Sequence, residues 1–315
     1  MATSGKVNEY DVVIVGGGPA GISAALWCAD LGMSAVVIEA RADLGGQLRI
    51  IHTPILNYPG VDAADGEDLY GRFAASMDKF EIDVITDSEA ASIDAEECTV
   101  TLATGDVIRG EALIIATGVR RHRLGISGED EFEGRGILTS GAGERESARG
   151  KRVVIIGGGD AAFENALILR EFADSVTVVH RREKFSARQE FVEPVLADAG
   201  INVITEYVPI SINGTERVES VTVESVKTGE QMQLDADLVL IRIGVVPNSE
   251  LLAGQVDMDD AGYILVDSES RTSSAGVWAA GDVANPVAPT IATAVGMGAT
   301  AAKSVLRLIN SLKKL

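Results

Sequence analysis

The chain has 315 residues, of which 47 are acidic and 27 basic, giving a formal net charge of −20. That charge excludes a general nucleic-acid-binding protein, which needs clustered cations, and it speaks against binding to a membrane of anionic lipids. Hydrophobic residues make up 46% of the chain and charged residues 23%, as in a folded globular protein, and the length favours two domains.

Cysteine usage and hydropathy exclude further classes of protein. Cys28 and Cys98 lie in unrelated contexts and form no CxxC, so the sequence predicts no disulfide framework, no iron–sulfur centre and no metal site. The N-terminal segment has no apolar run after Lys6, which predicts that no signal peptide is present. The longest uncharged run, 283–302, is interrupted by Asn285 and two prolines, which is not typical of a membrane span. We therefore expect a cytoplasmic protein.

Two segments of the chain repeat each other. Residues 11–39 align with residues 152–180 without a gap, and each contains an apolar β run, a glycine turn, a helical stretch and a second β run. This pattern predicts a βαβ unit whose first glycine permits a tight turn and whose second lets a pyrophosphate approach the backbone. The third position, Gly or Ala, allows the helix to pack on the strand, and the pyrophosphate lies at the helix N-terminus. The turn residues are Gly16, Gly18 and Gly21 in the first copy and Gly157, Gly159 and Ala162 in the second.

The two copies end in different residues, which indicates different ligands. Glu39 ends the first copy and can accept hydrogen bonds from ribose hydroxyls, which suits FAD or NAD. The second copy ends in His180, Arg181 and Arg182. An acid there would repel a 2′-phosphate, whereas arginine binds it, and Arg188 can join the cluster. The second site therefore favours NADPH over NADH.

Apolar patterning predicts the remaining elements. They are a Gly- and Pro-rich loop at 44–60, β-strands around 98–109 and at 112–119, a strand at 235–248, two strands within 262–282 and a helix at 290–309.

The order of motifs resembles that of the low-molecular-weight thioredoxin reductases, which are class II pyridine nucleotide-disulfide oxidoreductases. The motifs are GGGPAG, GGQ, NYPG, ATG, GGGDAA, HRR, IGVVPN and AAGD, followed by a helix of small residues. The resemblance implies an α/β fold with two Rossmann-like, three-layer (ββα) dinucleotide-binding domains, of which the NADPH domain is inserted in the FAD domain. The implied FAD domain comprises residues 1–117 and 248–315, and the implied NADPH domain comprises residues 118–247.

The same resemblance implies the residues that contact FAD. Asp282 follows an apolar strand, so its carboxylate can accept a hydrogen bond from a ribityl hydroxyl, and the next helix points its N-terminus toward the flavin. The chain departs from the family at the start of this helix, where Pro289 and Thr290 replace the usual Arg-Gln pair. The implied FAD contacts are Gly16, Gly18, Gly21, Glu39, Gly46, Gln47, Asn57, Gly281 and Asp282.

The redox dithiol of the family is missing from the aligned segment. Its CxxC followed by Asp aligns with the segment from Ser140 to Gly143 followed by Glu144. Because neither serine nor glycine exchanges with a disulfide, we expect no reduction of thioredoxin at this site. Glu144 is a candidate proton donor, with a solvated loop carboxylate as the alternative. His52 is a second catalytic candidate, with an ordinary loop histidine as the alternative.

These observations predict an oxidoreductase in which NADPH reduces FAD and the flavin passes electrons directly to an acceptor. The acceptor is open among a ferredoxin or flavodoxin, a quinone, another small molecule and O₂. Similar ferredoxin–NADP⁺ reductases have a C-terminal extension, which we do not expect here. The net charge of −20 would also repel an acidic ferredoxin, unless Arg120, Arg121 and Arg123 form a basic patch. The alternative is an FAD- and NADPH-binding redox sensor or scaffold without turnover. The resemblance further implies a homodimer.

Overall fold

A computed structural model describes residues 8–312 of the chain. Residues 1–7, on which the expectation about a signal peptide rests, and residues 313–315 lie outside the described part. The chain divides into two compact units, the first formed by Met1–Arg120 with Val246–Leu315 and the second by Arg121–Val245. Within the described residues, no helix combines the length and the apolarity needed to cross a lipid bilayer.

Strands and helices alternate in residues 8–85 and 152–205, and elsewhere several strands follow one another. The strands are β1 (Asn8–Val15), β2 (Ala35–Ile38), β3 (Asp83–Ile85), β4 (Ala90–Asp94), β5 (Thr99–Leu102), β6 (Val107–Ile115), β7 (Val119–Arg121), β8 (Ile137–Leu138), β9 (Arg152–Gly157), β10 (Ser175–His180), β11 (Ile201–Thr205), β12 (Tyr207–Gly214), β13 (Val218–Ser225), β14 (Gln231–Asp235), β15 (Leu238–Arg242), β16 (Val245–Pro247) and β17 (Val277–Ala279). The helices are α1 (Pro19–Asp30), α2 (Gly66–Met77), α3 (Asp160–Arg170), α4 (Gln189–Ala197) and α5 (Ile291–Leu312), and short 3₁₀ turns occupy Gly46–Ile50, Arg145–Ala148 and Glu250–Leu252.

The first unit is built on a seven-stranded sheet. Its strands follow the order β3-β2-β1-β6-β5-β4, and β17 also pairs with β6. Strands β1, β2, β6 and β17 run parallel, so their carboxyl ends meet at one edge. Val12 and Ile14 of β1 pack in a cluster with residues of α1 and α5, whereas Val13 and Val15 pack in a second cluster on the opposite face. This alternation is what a strand covered on both faces requires.

The second unit has three layers. A parallel sheet in the order β11-β10-β9-β15-β8 lies between α3 and α4 on one face and the antiparallel sheet β12-β13-β14 on the other. The predicted α/β fold class with two Rossmann-like units is thereby confirmed. The short strands β7 and β16 pair with each other where the chain enters and leaves this unit.

The structure differs from the predicted elements in the segment 262–282 and in the elements that it adds, among them α2, β3, α4 and β11. The segment 262–282 contains one strand, β17, rather than two, because its other β contacts are the isolated bridges Met258–Ile264 and Arg271–Trp278. The antiparallel strands β12–β14 are additional. Only β12 is half-buried over most of its length, whereas β13 and β14 alternate between more and less buried residues.

Candidate functional site

A cavity of about 650 Å³ lies at the carboxyl edge of the first unit's parallel strands. The residues that follow β1, β2, β6 and β17 line it, together with the N-terminal ends of α1 and α5. Open α/β sheets bind their ligands at this edge. The cavity is therefore the candidate dinucleotide site of the first unit.

The glycines of the first turn serve different purposes. A Cβ on Gly16 (φ +107°) would overlap the carbonyl oxygen of Ala116, and one on Gly21 would overlap the carbonyl oxygen of Gly16. A Cβ on Gly18, in contrast, would meet no protein atom within 4 Å. Gly18 caps α1 without a side-chain hydrogen bond, and Pro19 opens the helix. The cradle beside Gly18 and the uncapped helix end fit a pyrophosphate.

Glu39 directly follows β2, and it is 9% exposed. Its carboxylate accepts hydrogen bonds from the backbone N–H of Gly17 at 2.8 Å and of Arg41 at 3.0 Å. These two donors fix the carboxylate at the cavity wall, and a carboxylate has lone pairs left for ribose hydroxyls.

Gln47 and Asp282 come together across the cavity although they are far apart in sequence. The Nε2 of Gln47 donates a hydrogen bond to Oδ2 of Asp282 at 3.1 Å. Burial raises the pKa of Asp282, and the hydrogen bond from Gln47 opposes that rise. Gly46 and Gly281 flank this pair, both with positive φ (+52° and +79°), and all four residues line the cavity.

The start of α5, where the resemblance implied an Arg-Gln pair, is capped by threonines in this chain. Pro289 and Thr290 line the cavity. The hydroxyl of Thr290 accepts a hydrogen bond from the N–H of Thr293 at 3.2 Å, and the hydroxyl of Thr293 accepts one from the N–H of Thr290 at 3.2 Å. This reciprocal arrangement is a capping box, which satisfies helix-terminal donors within the chain itself.

The sequence did not predict the residues on the remaining wall of the cavity. The Nδ2 of Asn248 donates to the backbone carbonyl of Thr117 at 2.8 Å, and the backbone carbonyl of Asn248 accepts a hydrogen bond from the Thr117 hydroxyl at 2.6 Å. Arg120 donates to Oδ1 of Asn248 at 2.9 Å and forms an ion pair with Glu250. The motif IGVVPN contains Asn248, but nothing in the sequence shows that it faces Thr117.

Two predicted site residues lie outside this cavity. His52 and Asn57 are both exposed, and neither belongs to its lining. Their roles stay predictions.

The turn of the second copy repeats the geometry of the first. A Cβ on Gly157 (φ +154°) would overlap the carbonyl oxygen of Arg242, and Ala162 is fully buried under the turn. Gly159 caps α3 without a side-chain hydrogen bond, and the atom nearest to a Cβ there is Oγ of Ser186 at 3.5 Å. The N-terminal end of α3 is therefore accessible to an anion.

His180 packs into the turn as a neutral ring. It is 9% exposed, and its Nε2 lies 3.1 Å from the carbonyl oxygen of Lys184. Burial lowers the pKa of His180, and the positive charges of Arg182 and Arg181 lower it further, against the effect of the backbone hydrogen bond. The ring lies where a Cβ on Gly158 would be, so it closes the turn by packing.

The three predicted arginines differ in their partners. Arg188 donates from N and from Nε to the carboxylate of Asp160, both at 2.7 Å, and pairs with Glu190 at 2.7 Å. Arg181 and Arg182 are exposed and have no ion pair within residues 8–312. Two guanidinium groups beside the turn are thus free to bind an anion.

The segment 139–144 is closed by hydrogen bonds of its own. Oε2 of Glu144 accepts from the N–H of Thr139 at 2.7 Å, from its hydroxyl at 2.8 Å and from the N–H of Ser140 at 2.7 Å. The N–H of Gly143 donates to Oγ of Ser140 at 3.1 Å. Glu144 therefore organises this loop, whichever further role it has.

The two thiols are buried apart from each other. Cys28 and Cys98 belong to the clusters on opposite faces of the first unit's sheet. Burial raises the pKa of Cys28 to about 12 and also raises the pKa of Cys98. Neither thiol is a ready nucleophile.

Comparison with known proteins supplies the family. The sequence profile of the pyridine nucleotide-disulphide oxidoreductases matches residues 10–298. A thioredoxin reductase of Streptomyces clavuligerus is 36% identical over 306 residues, covering 96% of this chain and 94% of that protein. A thioredoxin reductase of Treponema pallidum is 36% identical over 311 residues, covering 97% and 99%. The crystal structure of Lactococcus lactis thioredoxin reductase superposes with a TM-score of 0.84 at 33% identity, covering 96% of this chain and 99% of that one.

These relatives confirm two predictions from the sequence, the family resemblance and the cofactors. The expected resemblance to class II flavoprotein oxidoreductases and the expected cofactors, FAD and NADPH, are confirmed, since thioredoxin reductases of this family use both.

The relatives also correct the expected reaction and partner. The prediction of direct electron transfer to a ferredoxin, flavodoxin, quinone, small molecule or O₂, with no reduction of a disulfide, is wrong, because relatives matching nearly the whole chain are thioredoxin reductases. The alternative, a redox sensor or scaffold without turnover, is wrong for the same reason.

Proposed function

Because the chain belongs to the pyridine nucleotide-disulphide oxidoreductase family, we propose that it is an NADPH-dependent FAD enzyme that reduces a protein disulfide, with a thioredoxin as acceptor. The observation that carries the proposal is the first unit's cavity at the N-terminal end of α1, in a chain whose relatives over nearly their full length are thioredoxin reductases. We further propose that the enzyme works in the cytoplasm as a homodimer, and a monomer in light scattering at micromolar concentration would contradict the dimer.

We assign FAD to the proposed domain of residues 1–117 and 248–315, which lies within the first unit of Met1–Arg120 with Val246–Leu315. Gly18 leaves room for the pyrophosphate, and Glu39 lies within the cavity wall to bind the adenosine ribose. Asp282, held by Gln47, offers a carboxylate oxygen to a ribityl hydroxyl. When bound, FAD accepts a hydride from the nicotinamide and supplies two electrons to the acceptor.

We assign NADPH to the proposed domain of residues 118–247, which contains the second unit, Arg121–Val245. Arg181 and Arg182 have no carboxylate partner in the described structure, so their charge is available to the 2′-phosphate. His180 replaces the acid that would bind a ribose hydroxyl of NADH, and its ring is neutral at pH 7.

The reaction balances without a thiol from this chain. NADPH, a proton and a disulfide give NADP⁺ and two thiols, so the sulfur–sulfur bond that breaks belongs to the acceptor. We propose that the loop of residues 139–144 carries no dithiol, since Ser140 and Gly143 have no sulfur. Its role is to present a fixed polar surface, which Glu144 maintains through three hydrogen bonds.

Anaerobic turnover with NADPH and an oxidised thioredoxin tests the proposed function. We expect two thioredoxin thiols per NADPH oxidised, counted by alkylation and mass spectrometry, because the reaction has no other electron acceptor under these conditions. The Gly18→Val variant, which fills the cradle for the pyrophosphate, is the control for the need for FAD. Thioredoxin that remains a disulfide while NADPH reduces the flavin would overturn the proposal.

Coenzyme preference tests the assignment of the second unit. NADPH should reduce the flavin with a higher kcat/KM than NADH does, and Arg181→Ala should remove most of that preference, since a hydrogen bond to a charged group contributes about 1.5–3 kcal/mol. Arg217→Ala, an exposed arginine on the β12–β13 turn, is the matched control. Equal efficiencies of both coenzymes with the wild type would contradict the assignment.

A further inference from the structure

Two other arginines of the second unit lie near each other, and Glu144, the acid whose charge acts on both, forms no ion pair with either one within residues 8–312. Arg242 ends β15, and Arg121 ends β7. The N–H of His122 donates to the carbonyl of Gly244 at 3.0 Å, which holds the chain after Arg121 beside the chain after Arg242. Within residues 8–312, neither arginine forms an ion pair.

The guanidinium of Arg242 is held in place but not neutralised. Its Nη1 donates to the carbonyl of Ile241 at 2.7 Å and its Nη2 to the carbonyl of Thr139 at 3.2 Å. Burial, together with the charge of Arg121, lowers the pKa of Arg242 to about 9, and Glu144 acts in the opposite direction. One carboxylate oxygen of Glu144 already accepts three hydrogen bonds from its own loop. A partly desolvated pair of cations is left, which an anion would stabilise.

The order of the parallel strands places Arg242 beside the glycine turn of the second unit. Arg242 is the register partner of Gly157, the first glycine of the second turn. Strand β9 has β10 on one side and β15 on the other, and the crevice at such a reversal of strand order binds nucleotides. Arg181 and Arg182 follow β10, whereas Arg242 ends β15, so positive charge flanks the turn on both sides.

We propose that Arg242 and Arg121 bind the nicotinamide mononucleotide half of NADPH through its phosphate. The inference rests on the proposed function, in which the second unit binds NADPH with the 2′-phosphate at Arg181 and Arg182. A dinucleotide laid across the turn has its adenosine on the β10 side, and its other half then lies over β15. The two arginine pairs thus recognise opposite halves of one ligand.

Two ligands that differ by this half provide the test. NADP⁺ contains both halves, whereas 2′,5′-ADP contains only the adenosine half, with its 2′- and 5′-phosphates. Calorimetric titration of the FAD-loaded protein measures both dissociation constants for Arg242→Gln, Arg121→Gln, Arg181→Gln and the control Arg217→Gln, which removes the same charge from the β12–β13 turn.

We expect Arg242→Gln to weaken NADP⁺ binding about tenfold or more and to leave 2′,5′-ADP binding within about twofold, which also shows that the variant is folded. Arg121→Gln should act in the same direction, and it removes no hydrogen bond of the described structure. Unchanged NADP⁺ binding in both variants, or equal weakening of both ligands, would overturn the inference. Failure of the coenzyme assignment is separate, because it would appear as unchanged 2′,5′-ADP binding in Arg181→Gln.

Discussion

Gly18 and Gly21 are three residues apart in one turn, yet a side chain at each would meet different obstacles. Space beside Gly18 is open, whereas Gly21 is in contact with the carbonyl oxygen of Gly16. Gly18 also has extended backbone angles (φ −75°, ψ −175°) that any residue adopts. One glycine is therefore needed by the ligand and the other by the fold.

Valine substitutions at these two positions separate ligand binding from folding. Gly18→Val should leave the melting temperature of the FAD-free protein within a few degrees of wild type but abolish the yellow colour. Gly21→Val should lower the stability of the FAD-free protein by about 1–3 kcal/mol or more, the usual cost of overpacking. Thermal unfolding and flavin absorbance check both results, and a stable, FAD-binding Gly18→Val variant would contradict the position assigned to the pyrophosphate.

The buried thiols predict low thiol reactivity in the native protein and a loss of stability at alkaline pH. In the native protein at pH 8, Cys28 and Cys98 should not react with Ellman's reagent, and both should react after unfolding in urea. An unfolded Cys28 ionises near its ordinary value of 9.0, whereas the folded thiol stays protonated to about 12. Its contribution to stability is therefore complete below about pH 9 and is lost as the pH rises above it.

The variant Cys28→Ala removes that alkaline component, and Cys98→Ala is its comparison at the other face of the sheet. The free energy of unfolding, measured from pH 7.5 to 10, should decline less steeply in Cys28→Ala than in wild type. A native thiol that reacts at pH 8 would show that the region around α1 opens. Flavin reduction by NADPH should survive both substitutions, since neither thiol lines the FAD cavity.

Among the secondary-structure elements, the sequence predicted those whose signal lies within a short stretch of chain, such as the βαβ units and their glycine turns. The spacing of Gly16, Gly18 and Gly21 identified the turn after β1, and the apolar runs around it gave β1, α1 and β2. The same holds for the second copy. The strands β12–β14 were missed: β12 shows little alternation because it is half-buried over most of its length, and the alternation of β13 and β14 is confined to a few residues each.

The site was only partly predictable for a related reason. Glu39 follows from its place at the end of β2, and the sequence indicated it. Asn248 faces Thr117, and Arg242 faces the turn at Gly157, only because strands distant in sequence are neighbours in a sheet. A single sequence contains no record of such pairings.

The N-terminus of α5 supports a prediction about capping. Thr290→Ala removes the hydroxyl that accepts from the N–H of Thr293 and should cost the FAD-free protein about 1 kcal/mol of stability. Thr300→Ala is the control in the same helix, because the Thr300 hydroxyl bonds back to the carbonyl of Gly296 and caps nothing. Urea unfolding checks both, and equal effects of the two substitutions would show that the capping box contributes nothing particular.

Over the whole molecule, a net charge of −20 repels anionic ligands at long range. Attraction must therefore arise locally, where arginines are left without carboxylates. The ends of β7, β10 and β15 in the second unit provide such places, whereas Arg188 is neutralised by Asp160. High salt should weaken both the repulsion and the local attraction.

The two units have separate cores, so they should respond to different ligands. Both tryptophans of the chain, Trp27 and Trp278, lie in the first unit, so their fluorescence reports the unfolding of that unit alone. Far-ultraviolet circular dichroism reports both units. In urea, FAD at about 100 times its dissociation constant should stabilise the fluorescence-detected transition by about 2.7 kcal/mol, and NADP⁺ should stabilise only the part of the dichroism change that fluorescence does not follow. Each ligand is the control for the other. If both ligands shift both signals equally, the chain unfolds as one cooperative body, and the proposed division into an FAD domain and an NADPH domain has no energetic counterpart.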